Sequence, residues 1–173
     1  MPSPLRSLLR SYDRFVVSRA RDAYTSVSGW RSKAGGFEGM VEEMRWGLGN
    51  LSDDTREAAD NRVLETIFFG RACLAALARF HRRFPLVART AMARASPFAL
   101  HWLVGEIELG TGATNFLPRC EFRRAGGEEL CERVCRRPTE TFCRTRGFPV
   151  TLRPRRGSLG CDWRWGDRRE DTP

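Results

Sequence analysis

Five of the six cysteines lie in the last third of the chain, at Cys120, Cys131, Cys135, Cys143 and Cys161. Cys131 and Cys135 stand four residues apart in LCERVCRRPTETF. That spacing places two sulfurs on one side of a short helix, opened by Glu128 and Glu129 and stopped before Pro138. Such a face suits a metal ion, a redox pair or a reactive thiolate. Arg133, Arg136 and Arg137 surround the pair, and nearby positive charge lowers a thiol pKa. Cys120 and Cys161 join the set if the helix packs on the strands expected to carry them. Structural zinc usually shows two short ligand knuckles, and only one is present, so spacing alone leaves all three chemistries open. Cys73, within an apolar helical run, reads as a small buried hydrophobe.

Other site chemistries find less material. His81 and His101 are the only histidines, which excludes a site built from three imidazoles. An iron site of two histidines and one carboxylate, using His81, His101 and Glu106 or Glu108, is formally available. However, the basic segment HRRF marks His81 as a solvated residue. There is no GxSxG elbow, no Walker phosphate loop and no GxGxxG.

The elements that must position the cysteines follow from periodicity. Tyr12, Phe15, Val16, Ala20, Ala23, Tyr24 and Val27 recur at helical intervals, and Ser28 and Gly29 end that helix. A second helix after Gly36 carries Met40, Val41, Met44 and Leu48. Asp54, three residues before Glu57, opens a long helix through Leu64, Leu74 and Phe80 to the break at Pro85, and a further helix runs from Leu86 towards Ala95. Beyond Pro97, the alternation at 106–109 predicts a strand, followed by a turn at 110–115 and a second strand through Leu117, Cys120 and Phe122. A helix opened by Pro138 and closed by Gly147 leads to strands at 150–153 and 161–165. The expected fold is α+β, with N-terminal helices packed on a small antiparallel sheet and a cysteine-rich C-terminal portion. Residues 1–10 and 167–173 are expected as flexible ends of one domain, 11–166, mainly helical over 11–96 and α+β over 97–166. Trp163 and Trp165 fall on one face of the last strand. With Gly166, Phe98, Trp102 and Leu103, they could line an apolar channel or form core.

Composition narrows the partners. The net charge of +9 is spread, with 14 Arg against 9 acids in residues 119–173 and 16 basic against 12 acidic groups before them, and Lys33 is the only lysine. A diffuse, nearly lysine-free excess without a recognition module argues against a specific nucleic-acid partner. No apolar run reaches the length of about 18 residues that spans a bilayer. The segment 71–104 does alternate apolar side chains with Arg79, Arg82, Arg83, Arg89 and Arg94. This is the pattern of core helices with a polar back, or of an interfacial helix on a lipid surface. MPSPLRSLLR is too short for a complete transit peptide and lacks a secretory apolar core. Without a secretory signal, clustered cysteines point to metal or redox chemistry rather than a disulfide framework.

The ordered series WLVGE, RCEF, LCERVCRRPTETF and GFPVTLRPRRGSLGCDWRWG resembles the plastid β-carotene isomerase family, the "dwarf twenty-seven" type of strigolactone biosynthesis. YDRF and GFEGMVEEM extend the likeness more loosely over nearly the whole chain. The resemblance implies a plastid-located, iron-dependent isomerase that interconverts all-trans- and 9-cis-β-carotene or a related apolar polyene. It carries over Cys120, Cys131, Cys135 and Cys161 as metal-site residues, with Cys131 and Cys135 catalytic. Whether the iron is mononuclear or an iron–sulfur cluster stays open. Pro138, Thr139, Phe142, Gly147, Pro149, Pro154 and Gly166 match the surrounding pattern. The chain departs from the family at Gly126-Gly127, where a further cysteine is usual, at RRGSLG in place of an acidic stretch, and at Glu140 in place of Gln; Cys143 is an addition. A divergent member is therefore expected. The alternatives are a non-catalytic cysteine-ligated metal module and a lipid-surface carotenoid carrier.

Overall fold

The computed structural model describes residues 4–166, with side chains from Tyr12 onward. The chain forms two compact units, Met1–Ile67 and Phe68–Pro173, so the helices of 71–99 belong with the cysteine-bearing part instead of dividing from it near residue 96.

The first unit contains helices α1 (Pro4–Ser28), α2 (Gly36–Asn50) and α3 (Asp53–Ile67). Residues 4–10, expected as a flexible tail, are already helical, while the rest of the two expected flexible ends lies outside the described residues. Val16, Val17, Ala20 and Tyr24 of α1 are buried, with Met40, Val41 and Met44 of α2 and Val63 and Leu64 of α3. These members of the stripes read from the sequence form the core, whereas Phe15, expected among them, is 61% exposed. Within it, Arg21 pairs with Glu43 at 2.6 Å. Arg21 also donates to the Ser32 carbonyl at 3.0 Å, so the buried cation has more than one partner.

Two boundaries around α3 differ from expectation. Ser52, not Asp54, caps the helix, its Oγ accepting the Thr55 N–H at 3.3 Å. The long helix expected through Phe80 also breaks after Ile67, where Phe69 and Gly70 take φ of 60° and 89°. Left-handed backbone cannot continue a right-handed helix.

The second unit begins with α4 (Arg71–Arg83), α5 (Pro85–Ala99) and α6 (His101–Val104). It continues with strands β1 (Glu108–Leu109) and β2 (Thr114–Leu117), then α7 (Glu121–Leu130), a π-helical segment (Cys131–Arg136) and α8 (Arg137–Thr145). Strands β3 (Val150–Pro154) and β4 (Cys161–Trp165) complete an antiparallel sheet in the order β1-β2-β4-β3. The α+β class is as expected. Helix α5 runs past the expected end near Ala95 and includes Pro97. Proline has no N–H to donate to the carbonyl four residues back, and the Asn115 side chain of β2 donates to that Ala93 carbonyl instead, at 2.9 Å. The Asn115 Oδ1 accepts the Trp165 indole N–H at 3.0 Å. One buried amide thus joins the proline-containing helix to two strands.

Candidate metal and redox site

Three local devices hold the four cysteines of the predicted set. Strand β2 stops at Leu117, before Pro118, because proline cannot extend a central ladder. Cys120 consequently lies on no strand, contrary to the expected strand through Cys120 and Phe122. It caps α7, its sulfur accepting the Arg123 N–H at 3.5 Å, and its own N–H reaches the Leu159 carbonyl at 2.9 Å. Phe122 is a buried helical residue.

Cys131 and Cys135 lie on the π-helical segment. Gly127, with φ 83° and ψ −176°, separates a first helical stretch beginning at Glu121 from a second that opens at the expected Glu128–Glu129 start. The second stretch passes directly into α8, with Pro138 in the first turn, instead of ending before Pro138. A proline cannot donate to the preceding turn, and here the ladder widens across Cys131–Arg136 just before it. Cys161 opens β4, paired with Leu117 on one side and Pro154 on the other.

These three segments bring Cys120, Cys131, Cys135 and Cys161 to one cavity of about 10 Å³, room for a single water-sized sphere. Val104, Leu152, Pro154 and Trp163 line it with apolar surface, and Arg123 and Arg136 complete the lining. All six cysteines are free thiols. Among the described residues, no three His, Cys, Asp or Glu side chains already form a metal-binding group. The two observations are compatible: the sulfurs surround one space without yet converging on a point. Four soft thiols suit iron or zinc in donor type.

Burial sets the protonation of the free thiols. It pushes Cys131 up to about 11 and Cys161 up to about 12. Cys120 and Cys135 rise for the same first reason. For Cys131 the positive charges of Arg123 and Arg136 oppose the rise but are outweighed by desolvation. The thiolate expected beside the arginines is therefore not favoured in the metal-free protein. The arginines are also already engaged: Arg133 with Glu129 at 3.1 Å, and Arg136 and Arg137 with Glu132 at 2.5 and 2.7 Å.

The remaining candidates separate from the cavity. Cys143 is fully buried in α8 and does not line it. Cys73 is exposed instead of buried, because its side of α4 faces solvent. His81 is buried rather than solvated, and Glu106 and Glu108 are exposed. The histidine–carboxylate iron site does not assemble. Trp163 reaches the cavity, whereas Trp165 is held by Asn115. Trp102 is buried and Phe98 is exposed.

The main residue missed from the sequence is Arg123. It is 7% exposed and donates from Nη1 to the Ser158 carbonyl at 2.6 Å and the Arg155 carbonyl at 2.9 Å. It thereby fastens the loop before Cys161 to the helix that Cys120 caps. Nothing in the RR pair distinguishes it from exposed Arg124. Glu140, noted in the sequence only for standing in place of Gln, has a supporting role as well: its Oε1 accepts the N–H of cavity-lining Leu152 at 2.7 Å, tying α8 to β3. No family model matches the chain, and no curated protein or solved structure matches it either.

Proposed function

We propose that this protein is a carotenoid cis/trans isomerase, a divergent relative of the plastid β-carotene isomerases, that holds iron through Cys120, Cys131, Cys135 and Cys161. The observation carrying the metal reading is the meeting of these four unpaired thiols, from a helix cap, a π-helical turn and a strand, at one small apolar-walled cavity. The polyene reading is supported by the ordered C-terminal motif. Its context would be plastid apocarotenoid synthesis of the strigolactone type.

Bound iron would supply one-electron exchange with a conjugated double bond, lowering its bond order enough for rotation. The chain's own residues set the surroundings. Trp163, Leu152 and Val104 exclude water, while Arg123 and Arg136 offset the negative charge of metal-bound thiolates. Arg123 and Glu140 fix the backbone carrying or adjoining the site. No proton leaves the substrate overall, so no dedicated base is required. The polyene itself is far larger than the cavity and must present one double bond at its edge.

The small four-thiol cavity also fits a second reading, a structural zinc module without catalysis. Serine substitution at each of the four cysteines, with Cys73→Ser as the exposed control, distinguishes them. The isomerase reading expects reduced iron content and loss of conversion between 9-cis- and all-trans-β-carotene in the four variants, with both retained in C73S. Full iron content and conversion in all four would overturn the proposed ligand set. Zinc binding without conversion in the unaltered protein would establish the structural module.

A further inference from the structure

Outside the cysteine site, the α4–α5 hairpin concentrates exposed apolar side chains at its turn. Phe80 and Phe84 are 40% and 49% exposed, and Leu86 and Val87 are 73% and 59% exposed. The two phenylalanine rings lie 5.7 Å apart. Along α5, Val87, Ala91, Arg94 and Phe98 recur at helical spacing, and all four are exposed. Phe98, at 70% exposure, therefore continues the stripe that begins at the turn.

The hairpin's own charges have one sign. No acidic residue occurs between Glu65 and Glu106, while Arg79, Arg82, Arg83 and Arg94 all fall within that interval and are exposed. The Arg83 guanidinium lies 5.6 Å from the centre of the Phe84 ring, so cation and aromatic occur together.

We infer that the α4–α5 hairpin docks on the surface of a bilayer containing anionic lipids. Phe84, Leu86 and Val87 enter the acyl boundary, and the neighbouring arginines meet the lipid phosphates. Apolar side chains bordered by long cationic ones are what an interfacial helix requires. Charge decides against a second copy as the occupant, because self-association would bring two arginine borders together. No described helix is long and apolar enough to cross the membrane, so this is a peripheral contact. The inference is independent of the iron-isomerase reading.

The test is sedimentation of the full chain with phosphatidylcholine vesicles, with and without phosphatidylglycerol. Partitioning is expected only with the anionic vesicles. The R82Q/R83Q variant should bind about 25-fold more weakly, from the loss of two surface cations near the lipid. F84S/L86S should bind at least about tenfold more weakly, from lost apolar insertion. Circular dichroism melting checks that both variants remain folded, and unchanged metal content separates this result from failure of the cysteine site. Equal binding to neutral vesicles, or unaltered anionic-vesicle binding by both folded variants, would overturn the inference. So would a lipid-free dimer that is lost in F84S/L86S, which would assign the face to self-association.

Discussion

Removing the Arg123 guanidinium tests whether the cysteine cavity depends on the latch between α7 and the β3–β4 loop. Arg123→Leu keeps an apolar stem and removes hydrogen bonds of 2.6 and 2.9 Å to the Ser158 and Arg155 carbonyls. A hydrogen bond to a charged group contributes about 1.5 to 3 kcal/mol. Ser158 and Arg155 are exposed residues, so water can compensate part of the loss at their carbonyls. The ion pair with Glu128, itself 84% exposed, contributes little. The expected destabilisation is about 2 to 3 kcal/mol, which lowers the urea midpoint by about 1 to 1.5 M for a slope near 2 kcal/mol/M. The same loss makes opening of the loop about 30- to 150-fold more favourable. Cys120 and Cys161 should react correspondingly faster with a thiol reagent, while exposed Cys73 should react at its original rate. Glu128→Gln should leave both readouts almost unchanged. A variant with unaltered urea midpoint and unaltered Cys161 labelling would refute the latch.

Other predictions concern buried polar groups. Asp60 is 4% exposed, and burial, the largest cause, raises its carboxyl from 3.8 to about 7. The folded state therefore holds a proton that the unfolded state releases above pH 3.8. Its favourable contribution is complete below that pH and lost as pH rises through 7. Asp60→Asn should gain about 2 to 4 kcal/mol of relative stability at pH 8 and almost none at pH 3, measured by urea unfolding at both pH values. Equal effects at the two values would contradict this assignment. Asn115→Leu removes the partners of the Ala93 carbonyl and the Trp165 indole N–H. It should cost about 2 to 4 kcal/mol, and a loss below about 1 kcal/mol in urea unfolding, the size of one ordinary hydrogen bond, would show that the bridge is dispensable.

Sequence periodicity located the early helices and the β4 strand because their apolar positions are locally repeated. Cys161, Trp163 and Trp165 alternate between flanking glycines, and all three face the interior of the second unit. The clustering of Cys131 and Cys135 was equally visible. Their widened helical ladder and the capping position of Cys120 depended on Pro138, Pro118 and distant backbone partners. The extension of α5 through Pro97 was hidden for a related reason: it requires a side-chain amide donated from β2. Arg123 offered no local signal, since its role arises from carbonyls more than thirty residues away, as its hydrogen bond to Arg155 spans 32 positions. The cavity was therefore legible as a set of residue types before its supporting contacts were.

The central claim is tested most directly by purifying the full chain without oxygen, then measuring its metal content, absorption spectrum and β-carotene isomer conversion on the same sample. The account predicts iron, a sulfur-to-iron charge-transfer band, and interconversion of all-trans- and 9-cis-β-carotene. A colourless protein that contains zinc and converts neither isomer would contradict it.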